Sequence, residues 1–201
     1  EQVKPDFSPE AVKHIEVIDR TTGQVCDEWE IDEENGNVII KNTTPFHQYT
    51  VAFLGISLWH PVHMYNYITN NWDEPHHIMY DPHYPKTKKF IRENLQRWCD
   101  ANPESNVVRF TTFLYMFSLV FNQYGKERNV DWFGYNMAVS PRMLDDFEKQ
   151  FGYKMRAEYL VDAGYYNQTH RIPTKEYKDW MKFVQNFVTE TVKDLVDITH
   201  K

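Results

Sequence analysis

Two cysteines in 201 residues, Cys26 and Cys99, are too few and too widely spaced for a disulfide framework or a zinc ribbon. A reducing compartment is the simplest setting for such a chain. Glycine is scarce as well. The seven present form no GxGxxG, no P-loop and no GxSxG elbow, so the glycine-rich phosphate cradles and the hydrolase nucleophile turn are missing. Cations are in the minority, 22 Lys and Arg against 29 Asp and Glu, for a net charge of -7. No basic stripe runs along the chain, which argues against a nucleic-acid backbone as partner, because phosphate neutralisation needs clustered Lys and Arg. No apolar run approaches the ~20 residues that a membrane helix requires. The N-terminal stretch "EQVKPDFSPE" has neither the basic start nor the apolar run of a signal peptide. The expectation is a cytoplasmic protein with no membrane partner.

Aromatic residues, by contrast, are plentiful. They make up 16% of the chain, with six tryptophans and thirteen tyrosines, in a composition otherwise ordinary at 41% hydrophobic and 25% charged. Rings and amides crowd together in "HMYNYITNNW" (63–72), directly after the apolar run "YTVAFLGISLW" (49–59). Tyrosine and tryptophan offer an apolar face with a polar tip, and asparagine offers two donors and an acceptor. A neutral sugar presents the matching surface, one face of C–H groups and a rim of hydroxyls. Half-buried core rings and turn-capping amides explain the same composition, and both readings stay open on composition alone.

Further along, "VDWFGYN" (130–136) repeats the theme with Trp132, Tyr135 and Asn136. Arg109 interrupts "VVRFTTF", where a β-strand would otherwise be wholly apolar. A guanidinium in a buried strand must be paired, and at a strand end it directs a rigid donor fork into a cleft. A structural ion pair with one of the acids is the competing reading. Six of the nine histidines fall between His47 and His83, but "HPVH" has Pro61 between its histidines and no HExxH or paired CxxC occurs, so no metal is assigned. The acids in expected loops, Asp73, Glu74, Asp81, Asp131 and Asp162, show no obvious partnered pair, and no general acid is assigned.

The order of elements reads as α/β. Antiparallel strands are predicted over 15–41, with turns at "TTGQ" and "ENGN". The run at 50–58 reads as a strand buried on both faces of a parallel sheet, with a second parallel strand at 107–112. Helices are predicted near 86–101, with Phe90, Leu95, Trp98 and Cys99 on one face, and near 174–199, with Trp180, Val184, Phe187, Val188, Leu195 and Ile198 on another. A third begins at "SPRMLDDFEKQFG", where Ser140 is a natural N-cap, Pro141 suits the first turn and Gly152 closes it. The alternation points to a parallel sheet. Because the long helix leads to no further strand, the 201 residues are expected to be a fragment of a larger barrel, truncated at both ends.

At "MYNYITNNW", "VVRFTTF", "DWFGYN" and "SPRMLDDFEKQFGY", in that order, the sequence resembles the 1,3-beta-galactosyl-N-acetylhexosamine phosphorylases of glycoside hydrolase family 112, also called galacto-N-biose/lacto-N-biose phosphorylases. The resemblance implies part of a (β/α)8 TIM barrel, with the 15–41 hairpins as an excursion within it and with the rest of the barrel and further domains downstream. The implied reaction is phosphorolysis of galactose-β-1,3-N-acetylhexosamine with inversion, giving α-galactose 1-phosphate. Phosphate is co-substrate and nucleophile, no cofactor is needed, and the protein supplies one acid. Residue by residue, Asn66, Arg109 and Trp132 match positions that line the galactose subsite; Tyr135 is added from its place beside Trp132. An acidic contact upstream of "MYN" has no counterpart, since the segment reads "WHPVHMYN". The catalytic aspartate and the phosphate loops are expected beyond residue 201, which leaves this chain without a catalytic residue. A non-catalytic carbohydrate-binding module or inactive barrel relative, and a plain glycoside hydrolase, are the alternatives. The choice between galacto-N-biose and lacto-N-biose, and the oligomeric state with a homodimer among the options, stay open.

Overall fold

Among the described residues every strand pair is antiparallel. The computed structural model describes residues 3–57, 71, 81–110, 139–160 and 170–200. The chain divides into two compact units, Glu1–Met79 and Tyr80–Lys201.

The first unit holds β1 (Val3–Pro5), a short helix α1 (Pro9–Val12), β2 (Glu16–Asp19), β3 (Gln24–Cys26), β4 (Trp29–Asp32), β5 (Asn37–Ile40), β6 (Tyr49–Ala52) and β7 (Gly55–Ser57). They form three small sheets, β3-β2-β6, β4-β5 and β1-β7. Consecutive side chains on a strand point to opposite faces, and on β2 both Val17 and Ile18 are buried, so this central strand is covered on both sides.

Side-chain chemistry makes the two hairpin turns. After β2, Asp19 Oδ1 accepts from the backbone N–H groups of Thr21 (2.9 Å) and Thr22 (3.4 Å), and Gly23 takes the left-handed conformation at φ 75. After β4, Asp32 accepts from the Asn35 backbone and side-chain amides, and Gly36 adopts φ 69. These are the antiparallel pairs that "TTGQ" and "ENGN" predict.

The run after residue 48 departs from expectation. It forms two short strands separated at Phe53–Leu54, not one, and among the described residues neither is parallel to a neighbour. β6 pairs with β2 in the register Val17↔Val51, while β7 pairs with β1 as Lys4↔Ile56. The Asp6 N–H donates to the Leu54 carbonyl (2.8 Å), holding the break between them. Nor is the run buried on both faces as expected: Tyr49, Val51, Ala52 and Leu54 are half-buried and Phe53 is 46% exposed, and the direction of pairing depends on residues 3–5 and 16–19, far away in sequence.

The second unit is helical in its described parts: α2 (Pro85–Ala101), α3 (Pro141–Phe151), α4 (Ala157–Leu160) and α5 (Lys175–Thr199). Helix α5 is the scaffold on which the other three pack. Its buried residues Trp180, Phe183, Val184, Val188, Thr191, Leu195 and Ile198 recur at three- and four-residue steps, a single stripe. Thr174 caps it by accepting from the Tyr177 N–H (3.2 Å). Phe147, fully buried on α3, meets Phe151 at 4.7 Å between ring centroids, Trp180 at 5.7 Å, and Tyr153 and Phe183 edge-on.

Helix α2 has the predicted extent but turns a different face inward. Phe90 (39%) and Trp98 (43%) are exposed, whereas Ile91, Leu95 and Cys99 are half-buried at i, i+4, i+8. On the side toward α5, Arg92 and Lys88 also pair with Asp194, at a partly exposed position where such pairs contribute at most about 1 kcal/mol.

Both ends of α3 follow the sequence closely. The Ser140 hydroxyl accepts from the Met143 N–H (3.1 Å), Pro141 begins the helix, and Gly152 ends it at φ 78, ψ 14 with its N–H on the Glu148 carbonyl (2.8 Å). Nothing crowds a β-carbon at Gly152, so only its backbone conformation resists substitution. Gly152→Ala should therefore destabilise this unit by about 1 kcal/mol, and Gly152→Asn by less, since asparagine tolerates the left-handed region. Local hydrogen exchange over α3 reads both; equal costs would contradict the cap argument.

Candidate functional site

Of the four residues assigned to sugar binding, Arg109 lies among the described residues, whereas Asn66, Trp132 and Tyr135 lie outside them. Helix α2 ends at Asn102, whose side-chain amide donates to the Trp98 carbonyl (2.7 Å) and whose own carbonyl accepts from the Ser105 N–H (3.1 Å). The chain then runs through 106–110 without a strand, and Arg109 is exposed. The expectation of a guanidinium in a buried strand is corrected here. The strand from 107 fails over its described part because Val107 is exposed and no neighbouring strand meets it among the described residues. Arg109 also makes no ion pair or hydrogen bond among the described residues. The structural ion pair that competed with a ligand role finds no acid among the described residues.

A polar cluster in the second unit went unseen in the sequence. Asp81 and His83 precede α2, and their side chains are only 8% and 4% exposed. Asp81 Oδ1 accepts from the His83 backbone N–H (2.9 Å) and lies 3.1 Å from His83 Nδ1, while Oδ2 accepts from the Ser140 hydroxyl. Burial pushes the Asp81 carboxyl upward, but the hydrogen bonds from His83 and Ser140 outweigh it and hold the group below its ordinary value of 3.8. The carboxylate is ionised, with donors around it. The His83 ring stacks on Phe187 (3.6 Å) and Phe183 (5.6 Å) of α5, and its Nε2 is buried with no partner among the described residues.

These three residue types suggest a nucleophilic triad, and the geometry excludes one. Serine and imidazole both bind the same carboxylate, so the His83 imidazole does not face the Ser140 hydroxyl, and a carboxylate held at low pKa is too weak a base to activate it. Its proton points to Asp81 and its oxygen accepts from Met143. The cluster binds and orients; it does not activate. Asp81, read from the sequence as a loop acid with no partner, thus has two. The signal was the "DPH" at 81–83, an acid and a histidine two apart across a proline, but the second partner lies 59 residues on.

In the first unit Asp19, buried on β2, lies 2.7 Å from His47 Nδ1. Burial raises its carboxyl, and the bonds from His47, Thr21 and Thr22 lower it further, leaving it below 3.8. No group of three or more His, Cys, Asp or Glu able to hold a metal occurs among the described residues. No helix there is long and apolar enough to cross a membrane.

Comparison with known proteins gives these residues a setting. Residues 1–201 match the model of the lacto-N-biose phosphorylase N-terminal TIM barrel domain. The chain belongs to this family. It is 53% identical over its whole length to a 1,3-beta-galactosyl-N-acetylhexosamine phosphorylase of Lachnoclostridium phytofermentans, covering 28% of that protein. It is 45% identical over its whole length to the enzyme of that name from Bifidobacterium longum, covering 27%. A D-galactosyl-beta-1->4-L-rhamnose phosphorylase of L. phytofermentans is 35% identical, again over the whole chain and 28% of the relative. The chain thus spans just over a quarter of the length of the relatives it matches. The family's domain is described as a TIM barrel; the described residues of this chain form helices and small antiparallel sheets, with no closed barrel among them.

Proposed function

We propose that this chain is part of a phosphorylase that cleaves galactose-β-1,3-N-acetylhexosamine with inorganic phosphate, releasing α-galactose 1-phosphate and the free N-acetylhexosamine. The observation that carries this reading is the match to the lacto-N-biose phosphorylase family over all 201 residues, with relatives of that activity at 53% and 45% identity. In the complete polypeptide the chain contributes to the catalytic barrel and supplies galactose contacts through Asn66, Arg109, Trp132 and Tyr135. Asn66 and Arg109 hydrogen-bond hydroxyls, Trp132 forms the apolar wall, and Tyr135 lies beside it. The exposed, unpaired guanidinium of Arg109 among the described residues supports this role.

The reaction needs one general acid with its proton in place at the pH of work. The two buried carboxyls of the described residues shift the wrong way: Asp19 and Asp81 are both held below the ordinary value. Following the family resemblance, the acid and the phosphate site are assigned to the remainder of the polypeptide, and neither Asp19 nor Asp81 is proposed for the acid's role. Phosphate replaces the activated water of an inverting hydrolase, so one carboxyl is enough.

The test is the complete polypeptide incubated with galacto-N-biose and lacto-N-biose, with and without inorganic phosphate. Phosphate-dependent release of galactose 1-phosphate is the expected result. Release of free galactose without phosphate would mark a hydrolase, and binding without turnover a carbohydrate-binding module. Turnover of galactosyl-β-1,4-rhamnose alone would transfer the activity of the 35% relative.

A further inference from the structure

We propose, independently of the galactose reading, that Asn35 is a site of spontaneous deamidation whose conversion loosens the β4–β5 hairpin. Asparagine is a chemically labile side chain, and its amide carbon lies one ring closure from the next backbone nitrogen. In "ENGN" that nitrogen belongs to Gly36, which has no side chain to shield it. Nothing lies within 4 Å of where a β-carbon would stand at Gly36, so the approach is open. The two hairpin turns of the first unit differ at this atom. The Gly23 N–H is held by the Asp19 carbonyl (2.7 Å), whereas the Gly36 N–H has no hydrogen bond among the described residues. Residues 33–37 are all exposed, so water and hydroxide reach the turn.

Hydroxide takes the Gly36 amide proton, and the nitrogen attacks Asn35 Cγ. A Cγ–N bond forms, the Cγ–Nδ2 bond breaks, and Nδ2 leaves as ammonia with a proton from water. Water then opens the cyclic imide at either carbonyl, leaving aspartate or isoaspartate at position 35. The turn depends on the group that is lost. Asp32 accepts from Asn35 Nδ2 (2.8 Å) and from the Asn35 backbone N–H (3.2 Å), and these bonds hold the Asp32 carboxyl below its ordinary value of 3.8. Conversion replaces the Nδ2 donor with a second carboxylate, beside Glu33 and Glu34, so an attraction to Asp32 becomes a repulsion. Isoaspartate also adds an atom to the backbone, which upsets the pairing Asp32↔Asn37. β4 and β5 pair with no other strand among the described residues, and a two-stranded ribbon is only marginally stable, so it relies on this turn.

The test incubates the complete polypeptide in warm, mildly alkaline buffer and follows its tryptic peptide Thr21–Lys41 by mass spectrometry with fragmentation. That peptide should gain the mass difference between an amide and a carboxyl, located at position 35. Asn37, followed by the β-branched Val38 within β5, is the control in the same peptide and should stay unchanged. Asn35→Gln, whose longer side chain closes the ring poorly, should abolish the change. Hydrogen exchange over β4 and β5 should rise severalfold in the converted protein, and Asn35→Asp should reproduce part of that rise without incubation. A folded protein in which Asn35 stays an amide, or in which Asn37 converts equally, would overturn the site. Unchanged exchange over β4 and β5, in the converted protein and in Asn35→Asp, would overturn the loosening.

Discussion

Arg109→Ala in the complete polypeptide should reduce kcat/KM for phosphorolysis of galacto-N-biose by several hundredfold or more, with little change in thermal stability. A guanidinium can give two charge-assisted bonds to neighbouring hydroxyls, each worth ~1.5–3 kcal/mol when the pocket is closed to water. Losing both amounts to about 3–6 kcal/mol in transition-state binding. Asn66→Ala removes a neutral bond and should cost less, roughly tenfold to a few hundredfold. The expectation of unchanged stability comes from the structure. Arg109 is exposed and holds no acid among the described residues, so truncation leaves no buried charge behind there. Kinetics and melting curves measured side by side decide the matter. A melting temperature that falls with the activity would return Arg109 to a structural role, and unchanged kinetics would remove it from the site.

Phe147→Ala should produce the largest loss of stability, about 3–5 kcal/mol for the second unit. The ring is fully buried and touches Phe151, Tyr153, Trp180 and Phe183, so its removal forfeits both the apolar transfer energy and four aromatic contacts around one point. Phe147→Leu keeps most of the volume and should lose considerably less. Phe90, 39% exposed on α2, is the control, and its alanine variant should cost little. Hydrogen exchange over α5 from Trp180 to Val188, in the complete polypeptide, reports each value as a change in local opening. Equal protection in the Phe147 and Phe90 variants would mean that the aromatic cluster is not the centre of this unit.

Helices α2, α3 and α5 were legible in the sequence almost to the residue, because their signals act within a few positions of where they are read. Ser140, Pro141 and Gly152 act on the turn beside them, and the stripe from Trp180 to Ile198 repeats with the helix period. The hairpins after β2 and β4 were legible for the same reason, since Asp19 and Asp32 bond to amides two or three residues on. The family, too, could be read from four short motifs in order. What required the tertiary structure was every choice of a distant partner. The apolar run from Tyr49 could have joined a parallel or an antiparallel neighbour, and it was β2 and β1 that decided. Helix α2 carries apolar residues on more than one side, and packing on α5 sets Ile91, Leu95 and Cys99 half-buried while Phe90 and Trp98 stay exposed. Arg109 looked like a strand residue from its neighbours, yet a strand needs a second strand, and none meets it among the described residues. Asp81 looked unpartnered because pairing energy depends on distance in space, and Ser140, 59 residues on, becomes its neighbour only in the folded unit.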